Sequence, residues 1–428
     1  MKKRLLAALL AVALVCAVPV LADEASKPAV REDQELAAEA ENSAAGPDDK
    51  ADRAEYVPDE VGFVSFENIE RRIRRENLNV DMMDHNIDSL DAMDYDKIEA
   101  QLEAGLAGIN AQILMMEQGM ETEPIGAQFA ITSLKAQAKD LEDQLAAIRE
   151  GDMRHDNALT ISKMEAGQDA IVMGGETLFL ALKAMETQYG ALQRQLTALN
   201  RTVEEMELRY QMGQISALTL AEVKTGRTSL ISGMNTLKMN IDNQKAQLEY
   251  LLGAKITGEI TLGAVPEVTQ AQLAAMDVEA DWKSCKRKNH DIYAAKYAMS
   301  DAAEDFEAAE KAYSEDSYEY RVAENTYDAA GAAYEDALQS RELKFRQLYA
   351  QVHDHKQILE SAKESLALEE KSFQASELKY RQGTISHNAY LAAQDELRSA
   401  AEAVENAAND LFSAYNTYCW AEGHGILN

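Results

Sequence analysis

The chain has 428 residues, with 74 acidic against 42 basic side chains and a net charge of −32 at pH 7. That charge repels a phosphate backbone, and no basic stretch stands apart to receive one, which argues against a nucleic-acid partner. Six prolines (Pro19, Pro28, Pro47, Pro58, Pro124 and Pro266) leave two long proline-free tracts, so the turns that a β-sandwich or barrel needs every ~8–12 residues are missing.

Residues 1–22 combine Lys2, Lys3 and Arg4 with an apolar run from Leu5 to Val18 and a cleavage site at Val20-Leu21-Ala22, the pattern of a secretory signal peptide. Lipidation is disfavoured because Val15, not a small residue, precedes Cys16. No later run is long and apolar enough for a second transmembrane helix. The expectation is export to the cell envelope, whether periplasm, outer membrane or cell surface. Residues 23–63 are acidic, rich in Ala and Pro, and lack a periodic apolar face; they read as a disordered linker, with order beginning near Val64.

Ser65-Phe66-Glu67-Asn68-Ile69 leads a helix through Arg71 to Asn77 and opens a first helical repeat, 64–253. This repeat carries a helical insertion at about 104–175, broken near Pro124-Ile125-Gly126 and Glu150-Gly151-Asp152. Between the breaks, Leu134, Ala138, Leu141, Leu145 and Ile148 keep helical spacing. Leu182, Met185, Tyr189, Leu192, Leu196, Leu199, Val203, Met206 and Tyr210 then follow a 3-4 spacing without a break, one continuous stripe that requires a partner helix. The pattern stops at Gly213 and resumes with Leu230, Met234, Leu237, Ile241, Leu248 and Leu251, which predicts an αα-hairpin turning at about 211–217. Residues 254–280 connect the repeats. Ile256, Ile260, Leu262 and Val265 make 254–268 the best candidate for one or two short strands.

The second repeat, 281–428, opens with Asp281-Trp282 and a helix to Asn289. Ile292, Met299, Phe306, Tyr313, Tyr320, Tyr327 and Tyr334 recur every seven residues, as in close helix packing. The chain must reverse between 314 and 331, at Ser314-Glu315-Asp316-Ser317 or at Gly331. The hairpin then returns 170 positions later: Glu207-Leu208-Arg209-Tyr210-Gln211-Met212-Gly213-Gln214-Ile215-Ser216 aligns with Glu377-Leu378-Lys379-Tyr380-Arg381-Gln382-Gly383-Thr384-Ile385-Ser386, with six of ten positions identical. Leu348, Val352, Leu359, Ala362, Leu366 and Phe373 keep the upstream seam in register, which establishes an internal duplication. The fold class predicted is all-α: long antiparallel coiled-coil hairpins in two tandem repeats.

Nothing in the chain reads as an enzyme. There is no Walker loop, His-Glu-x-x-His, Gly-x-Ser-x-Gly or paired Cys-x-x-Cys. His353 and His355 lie two apart, so on a helix they point in different directions and make no metal pair. Met82-Met83 and Met115-Met116 read as pliable packing. Cys285 and Cys419 could pair in an oxidising compartment or remain two thiols, and both readings stay open. No cofactor and no metal is expected.

A signal peptide, two tandem repeats, and Tyr-x-x-Gly-x-Ile-Ser between heptad helices in both copies resemble the TolC-type outer-membrane efflux proteins. The resemblance implies a homotrimer whose hairpins close an α-barrel conduit. It implies docking to a membrane-fusion (adaptor) protein, and through that to an inner-membrane pump. By the same match, Arg209, Tyr210, Met212, Gly213, Gln214 and Ser216 form one docking tip, and Lys379, Tyr380, Gln382, Gly383, Thr384 and Ser386 the other. The family's repeats contribute strands to a membrane barrel, whereas residues 300–340 show Ala, Glu, Asp and Tyr at helical spacing. An all-helical variant is therefore expected, with membrane contact left open. A structural coiled-coil protein of the envelope without transport is the competing reading.

Overall fold

The computed structural model describes residues 58–118 and 124–427; the signal-peptide segment and most of the proposed linker lie outside the described residues. In chain order the elements are β1 (Phe63–Val64), a 3-10 turn (Phe66–Asn68), α1 (Ile69–Glu76), α2 (Leu78–Asp91), α3 (Tyr95–Gln118), α4 (Pro124–Glu150), α5 (Asp152–Gln211) and α6 (Ala217–Leu251). Then follow β2 (Thr261–Leu262), α7 (Gln270–Ala275), α8 (Val278–Lys288), α9 (His290–Ala312), α10 (Tyr318–Arg381) and α11 (His387–His424). The protein is all-α in long hairpins. α5 has 60 residues and α10 has 64. Among the described residues no helix is long and apolar enough to cross a membrane.

The chain divides into two compact units, one of Met83–Glu165 and His290–Ser340, the other of Val57–Met82, Ala166–Asn289 and Arg341–Asn428. In the first, α3 and α4 lie antiparallel: Lys135 pairs with Glu117 at 2.8 Å, and Arg149 with Glu99 at 2.6 Å. α9 folds back on α10 through Phe306, which packs edge-on against Tyr320 at 5.3 Å and stacks on Tyr327 at 5.9 Å. The seven-residue aromatic run is thus the seam of this hairpin. Its reversal falls at residues 313–317, where Ser317 N donates to Ser314 O at 2.9 Å, while Gly331 lies inside α10.

The second unit holds the main core. Phe66 meets Phe179 and Phe412 edge-on at 5.6 and 4.8 Å, over Ile69, Ile73, Leu182, Leu248 and Leu252, all fully buried. α5 runs antiparallel to α6, tied by Lys224–Glu207 and Lys245–Glu186, both 2.7 Å. α10 runs antiparallel to α11 through Phe345–Tyr418 at 5.2 Å and Phe373–Tyr390 at 5.7 Å. Two buried asparagines close the far ends: Asn77 Nδ2 donates to Leu251 O at 2.8 Å and Asn289 Nδ2 to Gly425 O at 2.6 Å. Each follows a short helix, α1 or α8, and so marks the same place in its repeat.

Two boundaries differ from the sequence reading. Order begins before Val64, because Asp59 accepts from Ser65 N at 3.1 Å, Ser65 Oγ at 2.6 Å and Asn68 Nδ2 at 2.8 Å. A charged side chain with that many donors is a structural anchor, so the linker ends earlier than residue 63. The insertion drawn to residue 175 ends inside α5, which is continuous from Asp152. Gly174 and Gly175 do not break it; Gly175 lets α1 approach, since a Cβ there would stand 2.3 Å from Ile73 Cδ1. The expected short strand in 254–268 is Thr261–Leu262, whose parallel partner β1 lies outside that segment.

Candidate functional site

The duplicated motif is a helix stop joined to a helix start. At the end of α5, Gly213 N donates to Tyr210 O at 2.9 Å and Gln214 N to Arg209 O at 2.8 Å, with Gly213 at φ 73°. This pair of bonds around a left-handed residue is the Schellman stop, and it satisfies carbonyls that the helix end leaves free. Two residues later Ser216 takes an extended conformation and its side chain accepts from Thr219 N at 3.1 Å, starting α6. The second corner repeats each step: Gly383 at φ 71° donates to Tyr380 O at 2.9 Å, and Thr384 N donates to Lys379 O at 2.9 Å. Ser386 accepts from Ala389 N at 3.2 Å to start α11.

The spacing Tyr-x-x-Gly-x-Ile-Ser therefore has a local cause. Glycine supplies the positive φ and serine supplies the cap, and Ile215 and Ile385 are partly buried beside them. Apart from the residues next to it in the chain, nothing lies within 4 Å of where a Cβ would stand at Gly213 or Gly383, so conformation and not crowding requires glycine there. The open space also leaves both corners accessible.

The two corners belong to neighbouring hairpins. Asn388 Nδ2 donates to Glu205 at 3.3 Å, Arg201 pairs with Asp395 at 2.6 Å, and Arg194 pairs with Glu402. These contacts lay α5 alongside α11 just behind the corners. Around them large apolar side chains face water: Leu208, Tyr210, Met212 and Leu218 at the first, Leu378 and Tyr380 at the second. Leu208 and Leu378 were visible in the duplication as an identical pair, but their exposure required coordinates.

Charge at the corners is locally neutralised. Glu205 pairs with Arg209, Arg381 with Glu377 at 2.7 Å, and the hydrogen bond from Lys224 holds the exposed Glu207 carboxyl below its ordinary range. The corners also differ. Tyr380 stacks on Tyr390 at 4.7 Å and its hydroxyl bonds His387 Nδ1 at 3.0 Å, whereas Leu220 and Ala217 hold the matching positions in the first copy. Thr384 Oγ1 further caps Lys379 O at 2.9 Å. The second corner is thus more rigidly braced than the first.

All twelve residues expected at the tips fall at the two corners or in the helix turns beside them. Among the described residues no group of His, Cys, Asp and Glu could hold a metal ion. The two cysteines are free; burial pushes the Cys285 thiol up to about 12, so it is held as an unreactive thiol.

No family model matches the chain, and no curated protein matches it. Solved structures similar to it include the outer membrane protein VceC of Vibrio cholerae, 14% identical over 84% of this chain and 96% of that one, with a TM-score of 0.48. A membrane protein from Pseudomonas aeruginosa is 13% identical over 82% of this chain and 90% of its own, with a TM-score of 0.46. The CmeC outer membrane channel of Campylobacter jejuni is 14% identical over 67% of this chain and 68% of its own, with a TM-score of 0.43.

Proposed function

We propose that the chain is a TolC-like passive conduit of an efflux or secretion assembly, trimeric, with its paired corners docking to the hairpin tips of an adaptor protein. An inner-membrane pump joined through that adaptor would supply the energy, because a conduit of this kind needs no chemistry of its own. The observation that carries the reading is the pair of corners with the same glycine stop and serine cap, side by side, with apolar side chains left in water. A helix turn that merely ends a hairpin has no need to be duplicated with its exposed leucine and tyrosine.

Self-association has separate support. Ile231, Met239 and Tyr250 on α6, and Leu343, Ile358 and Leu368 on α10, are exposed and fall on one face of each helix. Burying such side chains is worth about 1.5–3 kcal/mol each, so neighbouring copies gain by covering them. Adaptor binding tests the docking half. Met212→Glu with Gln382→Glu is expected to weaken capture of a purified adaptor about ten-fold or more, since each places a charge in a desolvated contact. Unchanged capture by this variant, with its helix content intact, refutes the corner assignment. A monomer in sedimentation refutes the conduit and favours the structural envelope reading.

A further inference from the structure

The opening helices of the two repeats, α1 and α8, both carry four cations in a chain whose net charge is −32: Arg71, Arg72, Arg74 and Arg75 on one, Lys283, Lys286, Arg287 and Lys288 on the other. In α1 carboxylates take up much of that charge. Arg72 lies 3.7 Å from Asp59 and 3.9 Å from Glu76, and Arg74 pairs with Glu70 at 2.9 Å and Asp169 at 2.5 Å. In α8 nothing does. All four cations are exposed, and among the described residues none has a carboxylate partner; Lys288 Nζ donates to Gly423 O at 2.7 Å. Glu279, one turn before Lys283, is already paired with Arg346 at 2.9 Å. Cations in a last turn favour the helix dipole, but Lys283 stands before the last turn. Lys283, Lys286 and Arg287 share one face of the helix, and the buried Trp282 and Cys285 take the other.

We propose that this face of α8 binds a flexible phosphodiester polymer. The chain as a whole repels polyanions, but exposed charges more than about 8 Å away are largely screened at physiological ionic strength, so the local sign decides. The chemistry of the face selects the occupant. A protein partner needs a buried apolar centre, and α8 exposes no large apolar side chain to build one. Stacking of nucleic-acid bases needs an exposed ring, and Trp282, the one aromatic residue of α8, is buried. A planar anionic membrane would also face Asp277 and Glu279 at the other end of the helix. A single phosphate would meet one or two cations on a convex surface open to water. A thin chain charged at every link runs along the face and pairs with Lys283, Lys286 and Arg287 in turn, the Arg287 guanidinium taking two oxygens of one phosphate.

The test uses the full chain and fluorescently labelled poly(glycerol phosphate), followed by anisotropy from about 50 mM salt upward. The expected result is binding that weakens as salt rises, and that Lys283→Gln, Lys286→Gln and Arg287→Gln together weaken about ten-fold or more. Lys238→Gln, Lys363→Gln and Lys371→Gln, at exposed positions on α6 and α10, make the same change of net charge and should leave binding within about two-fold. No binding at low salt, or equal loss in the two triple variants, overturns the proposal. Equally tight binding of phosphatidylglycerol vesicles or polyglutamate through the same three residues overturns it too, and would assign the face to a membrane or an acidic polypeptide. So does displacement by inorganic phosphate at the same concentration of phosphate groups, which would leave a small-anion site. Should the triple variant lose helix content, amide exchange in the unaltered chain decides: added polymer must slow exchange in α8 and leave α1 unchanged, and equal effects on the two helices refute the assignment. No adaptor is present and no corner residue is altered, so the result is independent of the docking reading.

Discussion

Asp169 and Glu176, seven residues apart on α5, show how neighbours set the behaviour of two carboxyls. Burial alone would raise Asp169, but hydrogen bonds from His424 at 2.8 Å and Arg74 at 2.5 Å outweigh it and hold the carboxyl below its ordinary value. At Glu176 burial dominates and raises the carboxyl, with bonds from Asn416 and Trp420, both 2.6 Å, offsetting only part. The signs are opposite. Asp169 contributes stability that is present above the unfolded carboxylate value and is lost as pH falls through its depressed folded value. Glu176 contributes stability that is full below the unfolded value and is lost as pH rises through its raised one. Asp169→Asn is therefore expected to cost about 2 kcal/mol at neutral pH and to flatten the acid limb of urea-unfolding curves. Glu176→Gln is expected to gain about 1 kcal/mol at neutral pH and nothing in acid. The reverse pattern would show that the two environments are misassigned.

At the scale of elements, two kinds of glycine divide cleanly. Gly213→Ala and Gly383→Ala are each expected to cost about 1–2 kcal/mol, from the positive φ alone, and to leave the rest of the fold in place. Gly175→Ala meets a different obstacle, since Ile73 is fully buried and its Cδ1 occupies the space. Overpacking there should cost about 1–3 kcal/mol and loosen α1 from α5, seen as faster amide exchange in α1. Equal exchange in α1 for all three variants would deny that contact. The corners were legible beforehand because every group they use is local: a glycine, a serine and backbone bonds within six residues. The reversal between α9 and α10 was not, because the aromatic period runs across it. Phe306 stacks on residues from the far side of the turn, so the same spacing serves both arms.

At the scale of the whole molecule, net charge opposes assembly while the open apolar faces favour it. With −32 per chain, copies repel one another, and salt screens that repulsion more than it weakens apolar contact. Raising ionic strength should therefore shift sedimentation toward the proposed trimer. Ile358→Glu with Leu368→Glu, on the open face of α10, should shift it to monomer without loss of helix. A trimer indifferent to these substitutions would move the interface elsewhere.

The order of residues by itself determined the helical class, the two repeats and the position of both corners, because heptad seams and capped turns are short-range and each was written twice. Only the tertiary structure decided that β1 pairs with β2 and that α5 runs unbroken past the expected end of the insertion. It also decided which apolar side chains remain in water. Those outcomes depend on what packs across from a residue, and a partner more than a hundred positions away leaves no mark in local spacing.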